Sequence, residues 1–138
     1  MNIPAIAAGA QLTLTGYFAL THWVPMGRFN DLSGEHQTVN AAMQTAMAAL
    51  AIGTFLDARY AIWIAAVYYT LWMIGHLMSW WVPYLTGWPH SSTRDKYPTG
   101  IPVLPARGNR PTPDLLHTIL GLLSVAALAT TWLAVTHG

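Results

Sequence analysis

Residues 60–82 read YAIWIAAVYYTLWMIGHLMSWWV, a run without Lys, Arg, Asp or Glu that is closed by Pro83. Bilayer hydrocarbon is about 30 Å thick, so a spanning helix needs roughly 20 mostly apolar residues. The run is therefore read as a transmembrane helix, with His76 the single imidazole deep in its interior. Immediately upstream, Asp57, Ala58 and Arg59 make a turn too short for anything but an antiparallel neighbour, which is the charge-free run Val39 to Leu56. Two further runs of the same kind lie outside this pair, Ile3 to Val24 before Pro25 and Leu115 to Thr136 near the other end. The fold class expected is an all-α integral membrane protein. One domain, residues 1–138, forms a four-transmembrane-helix bundle with a long Pro-rich loop between helices 3 and 4.

The composition agrees. Of 138 residues 54% are hydrophobic and 8% charged, against about 25% charge in an ordinary soluble domain. Seven Trp and six Tyr supply the amphipathic rings favoured at membrane interfaces. A net charge of +1 argues against a nucleic-acid partner, and the absence of Cys excludes disulfides, thiolate metal sites and cysteine nucleophiles. The first run lacks a basic flank and exceeds the roughly 7 to 15 apolar residues of a signal peptide, so it is expected to stay as an anchor.

Arg28, Arg94, Lys96, Arg107 and Arg110 fall in the first and third loops, and only Arg59 on the opposite side. The positive-inside rule then places loops 25–37 and 84–112 in the cytoplasm and both termini outside. In the third loop Tyr84, Trp88, Tyr97, Ile101, Val103 and Leu104 argue for a segment packed on the bundle rather than a free linker. Its cations Arg94, Lys96, Arg107 and Arg110 are candidates for contacts with anionic headgroups or an anionic substrate. Two stripes of small residues, Ala5, Gly9, Thr13 and Gly16 in helix 1 and Ala42, Ala46, Ala49 and Gly53 in helix 2, are expected to be packing seams inside the bundle.

Histidine carries the functional signal. Threaded up and down, the chain brings His22, His36, His76, His90 and His117 to the end with loops one and three, and leaves His137 at the other. At 1.5 Å per residue His76 sits about 10 Å and His117 about 8 Å inside their helix ends, so the two reach comparable depth. Asp114 and His117 are three apart and share a face, in a helix expected to start with Thr112 as N-cap and Pro113 at its first position. Glu35 and His36 follow Ser33, another candidate cap. His36, Asn40 and Gln44 recur every four residues and form a polar stripe about 12 Å long, which lipid penalises and which is expected to face the interior. Around His76, helical spacing places Tyr69, Trp72, Met73, Ser79 and Trp80.

These residues define a His- and carboxylate-lined intramembrane pocket near the long-loop face. As a metal site it would use His36, His76, His117, Asp114 and Glu35, a donor set suited to zinc, iron, manganese or copper(II). As a haem b site it would use His76 and His117 as opposed axial ligands. A quinone-like ligand would be bonded by His76 and flanked by Trp72, Trp80 and Tyr69. Three functions follow: an accessory or ligand-binding subunit, a membrane-embedded enzyme using the His and Asp groups, or a small oligomeric transporter or channel with the His36, Asn40 and Gln44 stripe. The partners expected are the lipid bilayer and other membrane subunits or further copies of the chain.

Overall fold

The computed structural model describes residues 2–30, 32, 37–88 and 100–137, and within them the chain is helical with no strand. Its elements are α1 (Ile3–Trp23), α2 (Gln37–Phe55), α3 (Arg59–Thr86) and α4 (Leu115–His137), with a single 3-10 turn at Gly27–Phe29. Helix α1 packs on α2 and α4, and α3 packs on the same two, which closes a four-membered ring of antiparallel neighbours. Three helices, α1, α3 and α4, are long and apolar enough to cross a membrane. Helix α2, with Asn40 and Gln44 in its first half, is not among them, so the fourth expected span is not established by length and composition. The chain is a helical membrane-type protein.

Bulky apolar side chains cover the outside as well as the core. Leu14, Phe18, Met47, Ala65, Tyr69, Leu120 and Ala127 form the central cluster, while Leu12, Ile52, Phe55, Ile64, Val67, Leu122 and Leu133 point outward. An exposed apolar surface of that extent is a liability in water and the normal state in lipid.

Helix ends are set by named caps. Asn2 starts α1, its side chain accepting from the Ala5 N–H at 3.0 Å. At the other end Asn30 folds back, its Nδ2 donating to the Thr21 and Val24 carbonyls at 2.6 and 2.7 Å while its Oδ1 accepts from the Met26 N–H. Between α2 and α3 the turn passes through Asp57 at φ 54. There a Cβ on Gly53 would stand 2.5 Å from that of Ala61, so this glycine lets the two backbones meet.

Three expectations are corrected here. Pro83 does not end helix 3. A proline lacks the N–H for the i−4 bond and its ring crowds that carbonyl, and the chain answers with a π-helical turn at Leu77–Trp81, where the Val82 N–H reaches the Leu77 carbonyl. The helix continues to Thr86 and stops at Gly87, whose φ of 77 makes it the left-handed cap. Thr112 is not the cap of α4 either. Asp114 is: its Oδ1 accepts from the His117 N–H at 2.8 Å and the helix begins at Leu115. The loop sets this register, since the Leu115 N–H donates to the Ile101 carbonyl and the Val103 N–H to that of Pro113, forming an antiparallel bridge across the helix start. Finally, the small-residue stripes are for the most part not interior seams, although Gly53, against Ala61 of α3, is one. Gly9, Thr13, Gly16, Ala42, Ala46 and Ala49 all face outward, because α1 turns Ala7, Ala8, Gln11, Leu14, Phe18 and Thr21 inward and α2 turns Met47, Ala51 and Thr54.

Candidate functional site

The end of the bundle that carries loops one and three holds a cavity of about 390 Å³. Its wall takes Phe18 and His22 from α1, Met43 from α2, Trp72, Gly75, His76, Ser79 and Trp80 from α3, and His117 and Leu120 from α4. Three imidazoles and three aromatic rings from three helices thus line it. Phe18 connects them, meeting the His22 ring at 4.1 Å and the Trp72 indole at 5.1 Å, both edge to face.

His117 is the most completely oriented of the three imidazoles. Its Nδ1 lies 2.8 Å from Oδ1 and 3.0 Å from Oδ2 of Asp114, with both residues buried. An ionised carboxylate only accepts, so the pair requires a proton on Nδ1 and makes Nε2 the basic nitrogen of the neutral ring. The indole of Trp80 stacks on the imidazole at 3.8 Å and 27°, which fixes the ring plane. Asp114 is held in turn. It caps α4, and Gly100 approaches so closely that a Cβ there would fall 2.8 Å from Oδ2.

His76 is bonded differently. The ring is 8% exposed and its Nε2 has no hydrogen-bond partner, a state that costs about 1–3 kcal/mol for a buried polar atom. It is wedged against α4 at Gly121, where a Cβ would stand 2.7 Å from Nε2. Trp72, one turn below, donates its indole N–H to the Ser124 hydroxyl of α4 at 2.9 Å, so the α3–α4 seam is pinned on that side of the histidine.

The expected site residues divide clearly. His76, His117, Trp72 and Trp80 are brought to one cavity, with Asp114 behind His117. Tyr69 is not; it is fully buried in the central cluster below. Gln44 lies on the α1–α2 seam, its Oε1 accepting from the Trp23 indole at 2.6 Å, and Asn40 is partly buried one turn before it, so neither lines the cavity as the expected polar stripe would. Glu35 and His36 lie outside the described residues, as do His90, Arg94, Lys96 and Tyr97. Arg110 acts on the protein itself: Nη1 donates to the Leu85 and Tyr84 carbonyls at 2.8 and 3.3 Å, capping α3. Arg107 stands over the Tyr84 ring at 5.0 Å, and the Tyr84 hydroxyl donates to the Pro105 carbonyl, so residues 105–110 are tied to the helix end. Among the described residues no three His, Cys, Asp or Glu groups come together to hold a metal ion. The described residues thus give the metal-site reading no support, and two of its five expected ligands, Glu35 and His36, lie outside them.

Sequence reasoning passed over Phe18, Met43, Gly75, Leu120 and Gly121, and gave His22 no part in the pocket. A signal was available for two of these. Phe18 stands four residues before His22, and Gly121 four after His117, the spacing that puts each pair on one helix face.

No protein-family model, curated protein or solved structure matches this chain. The class that fold and cavity define is a small helical membrane protein with a His- and aromatic-lined cavity at one end of its bundle.

Proposed function

We propose that this protein is a ligand-binding membrane subunit whose cavity takes a planar, mostly apolar ring bearing a hydrogen-bonding oxygen, that is, a quinone-like molecule. The observation that carries this reading is His117, oriented by Asp114 through Nδ1 and stacked on Trp80 at the cavity wall. A carboxylate-backed imidazole holds a proton toward a ligand carbonyl or takes one from a ligand hydroxyl. Phe18, Trp72 and Trp80 offer ring faces, and about 390 Å³ falls in the range of roughly 300–1,000 Å³ of small-molecule pockets. Haem b is disfavoured because His76 Nε2 is directed at the α4 backbone by Gly121 rather than toward an opposed imidazole across a gap. Of the transporter reading's polar stripe, Gln44 is bonded to the Trp23 indole on the α1–α2 seam.

The test is a titration of the detergent-purified protein with a short-chain benzoquinone, read as tryptophan quenching beside an absorption spectrum and metal analysis. Saturable quenching at one quinone per chain, abolished by His117→Gln, is expected. A Soret band, stoichiometric metal or quenching untouched by the substitution overturns the reading.

Helix α2 is proposed to cross the bilayer with the other three, since it is packed between α1 and α3 and turns Val39, Ile52 and Phe55 outward. The loops carrying Arg28, Arg107 and Arg110 are proposed to be cytoplasmic and both termini extracytoplasmic. Reporters fused at either terminus and within 100–112 check this, and matching signals from terminus and loop would sink it. A role as an accessory subunit of a larger membrane assembly is favoured by one feature, the outward Gly9 and Gly16 of α1 with nothing beside them. Copurification of stoichiometric membrane partners tests it, and a chain that purifies alone and keeps its ligand argues against it.

A further inference from the structure

His76 borders two spaces. One is the inner cavity; the other is a groove of about 270 Å³ on the far side of the ring, where α3 and α4 meet at the outer surface. The groove is floored by Gly121 and walled by Met73, Leu77, Trp81, Leu122 and Val125, with Thr118 at its loop end. The Thr118 hydroxyl donates to the Asp114 carbonyl at 2.7 Å, so it is turned back onto its own helix. The rest of the wall is hydrocarbon, and Leu122 and Val125 are open to the outside. The π-helical turn deals consecutive indoles to the two spaces, Trp80 to the cavity and Trp81 to the groove. Between them stands the buried His76 ring, its Nε2 lying against α4 at Gly121.

We infer that cavity and groove are two compartments of one site, and that the ligand is a membrane lipid with a ring head and an isoprenoid or acyl tail. The head occupies the cavity beside His117, the tail lies in the α3–α4 groove, and the His76 ring forms the neck between them. This deepens the ring-binding reading and rests on it. The chemistry of the two spaces is that of an amphiphile: imidazole and indole groups on one side of His76, an almost wholly apolar wall on the other. A soluble ligand has no use for the groove, and an ordinary bilayer chain lying in it brings no ring for the cavity. Entry follows from the same geometry, from the bilayer through the α3–α4 seam and past the His76 ring.

The experiment uses the whole chain in phosphatidylcholine nanodiscs and two benzoquinones with the same ring, one carrying a single isoprene unit and one a ten-carbon chain. Affinity is read by tryptophan quenching and expressed per mole fraction in the lipid. The long-chain compound is expected to bind at least tenfold tighter to the unaltered protein. Val125→Trp, which fills the groove from an exposed position, is expected to bring that advantage below twofold and leave the short compound unchanged. Leu122→Ala, which enlarges the groove without crowding, provides the second variant and is expected to weaken only the long compound, about threefold. Equal affinity of the two compounds, or substitutions that weaken both alike, would show that the groove holds annular lipid only and overturn the inference while the ring site stands. If neither compound binds, the ring-binding reading falls and this inference with it.

Discussion

The carboxylate of Asp114 holds both the backbone N–H and the Nδ1 of His117, each at 2.8 Å from the same Oδ1. Cap and imidazole partner are one group, so the residue that starts α4 also orients the ring at the cavity wall. The two roles separate by substitution. Asparagine caps as well as aspartate, whereas alanine in a cap position costs about 1 kcal/mol. Asp114→Asn is expected to retain the thermal midpoint of the parent closely and to lose most quinone binding. Asp114→Ala is expected to lose both. Unchanged binding by a folded Asp114→Asn protein would show that His117 needs no carboxylate.

Gly121 stands where the His76 ring needs room, and Gly121→Ala forces the ring or the helix to move, since the added Cβ arrives 2.7 Å from Nε2. Overpacking of this kind costs about 1–3 kcal/mol. Removing the ring removes the clash, so the double variant His76→Ala with Gly121→Ala is expected to be less destabilised than the sum of its parts by more than about 0.5 kcal/mol. A denaturation cycle on the four proteins measures this; additivity would mean that the two residues do not press on each other.

Pro83 is responsible for the π-helical turn that separates Trp80 from Trp81. Pro83→Ala restores a backbone donor, and the expected result is regular α-helix through Leu77–Trp81 with a rotated register beyond His76. Stability is expected to hold or rise while the stacking of Trp80 on His117, and with it ligand binding, is lost. A variant that keeps full binding would assign the turn to another cause.

Arg110 ties the end of the long loop to α3 through the Tyr84 and Leu85 carbonyls. Arg110→Met keeps much of the aliphatic stem and removes the donors. Hydrogen bonds from a charged group contribute about 1.5–3 kcal/mol, so cleavage within 100–112 by a soluble protease is expected to accelerate severalfold, with bundle melting lowered much less. Equal cleavage rates would place the anchoring of this segment in Tyr84 and the Pro102–Asp114 bridge instead.

The helices themselves were legible in the sequence, because a charge-free run of spanning length has one solution in hydrocarbon, a helix that satisfies its own backbone. The depths of His76 and His117 rest on Pro83 and Thr112 as helix ends, and neither bounds its helix, but the pairing of Asp114 with His117 was legible for a similar reason: the i, i+3 relation is a property of the helix alone. What each helix turns inward was not. In α1 the inward Ala7 and Ala8 and the outward Gly9 and Gly16 are equally small and apolar, and lipid is as apolar as a protein core, so no solvent contrast marks the buried face. Rotation was therefore settled by packing between helices, and that is why Gln44 meets Trp23 on the α1–α2 seam instead of facing His76. The stop at Gly87 in place of Pro83, and the cap at Asp114 in place of Thr112, were likewise decided beyond the local sequence. A π turn absorbs the proline, and a returning loop supplies the Ile101 carbonyl to the first N–H of α4.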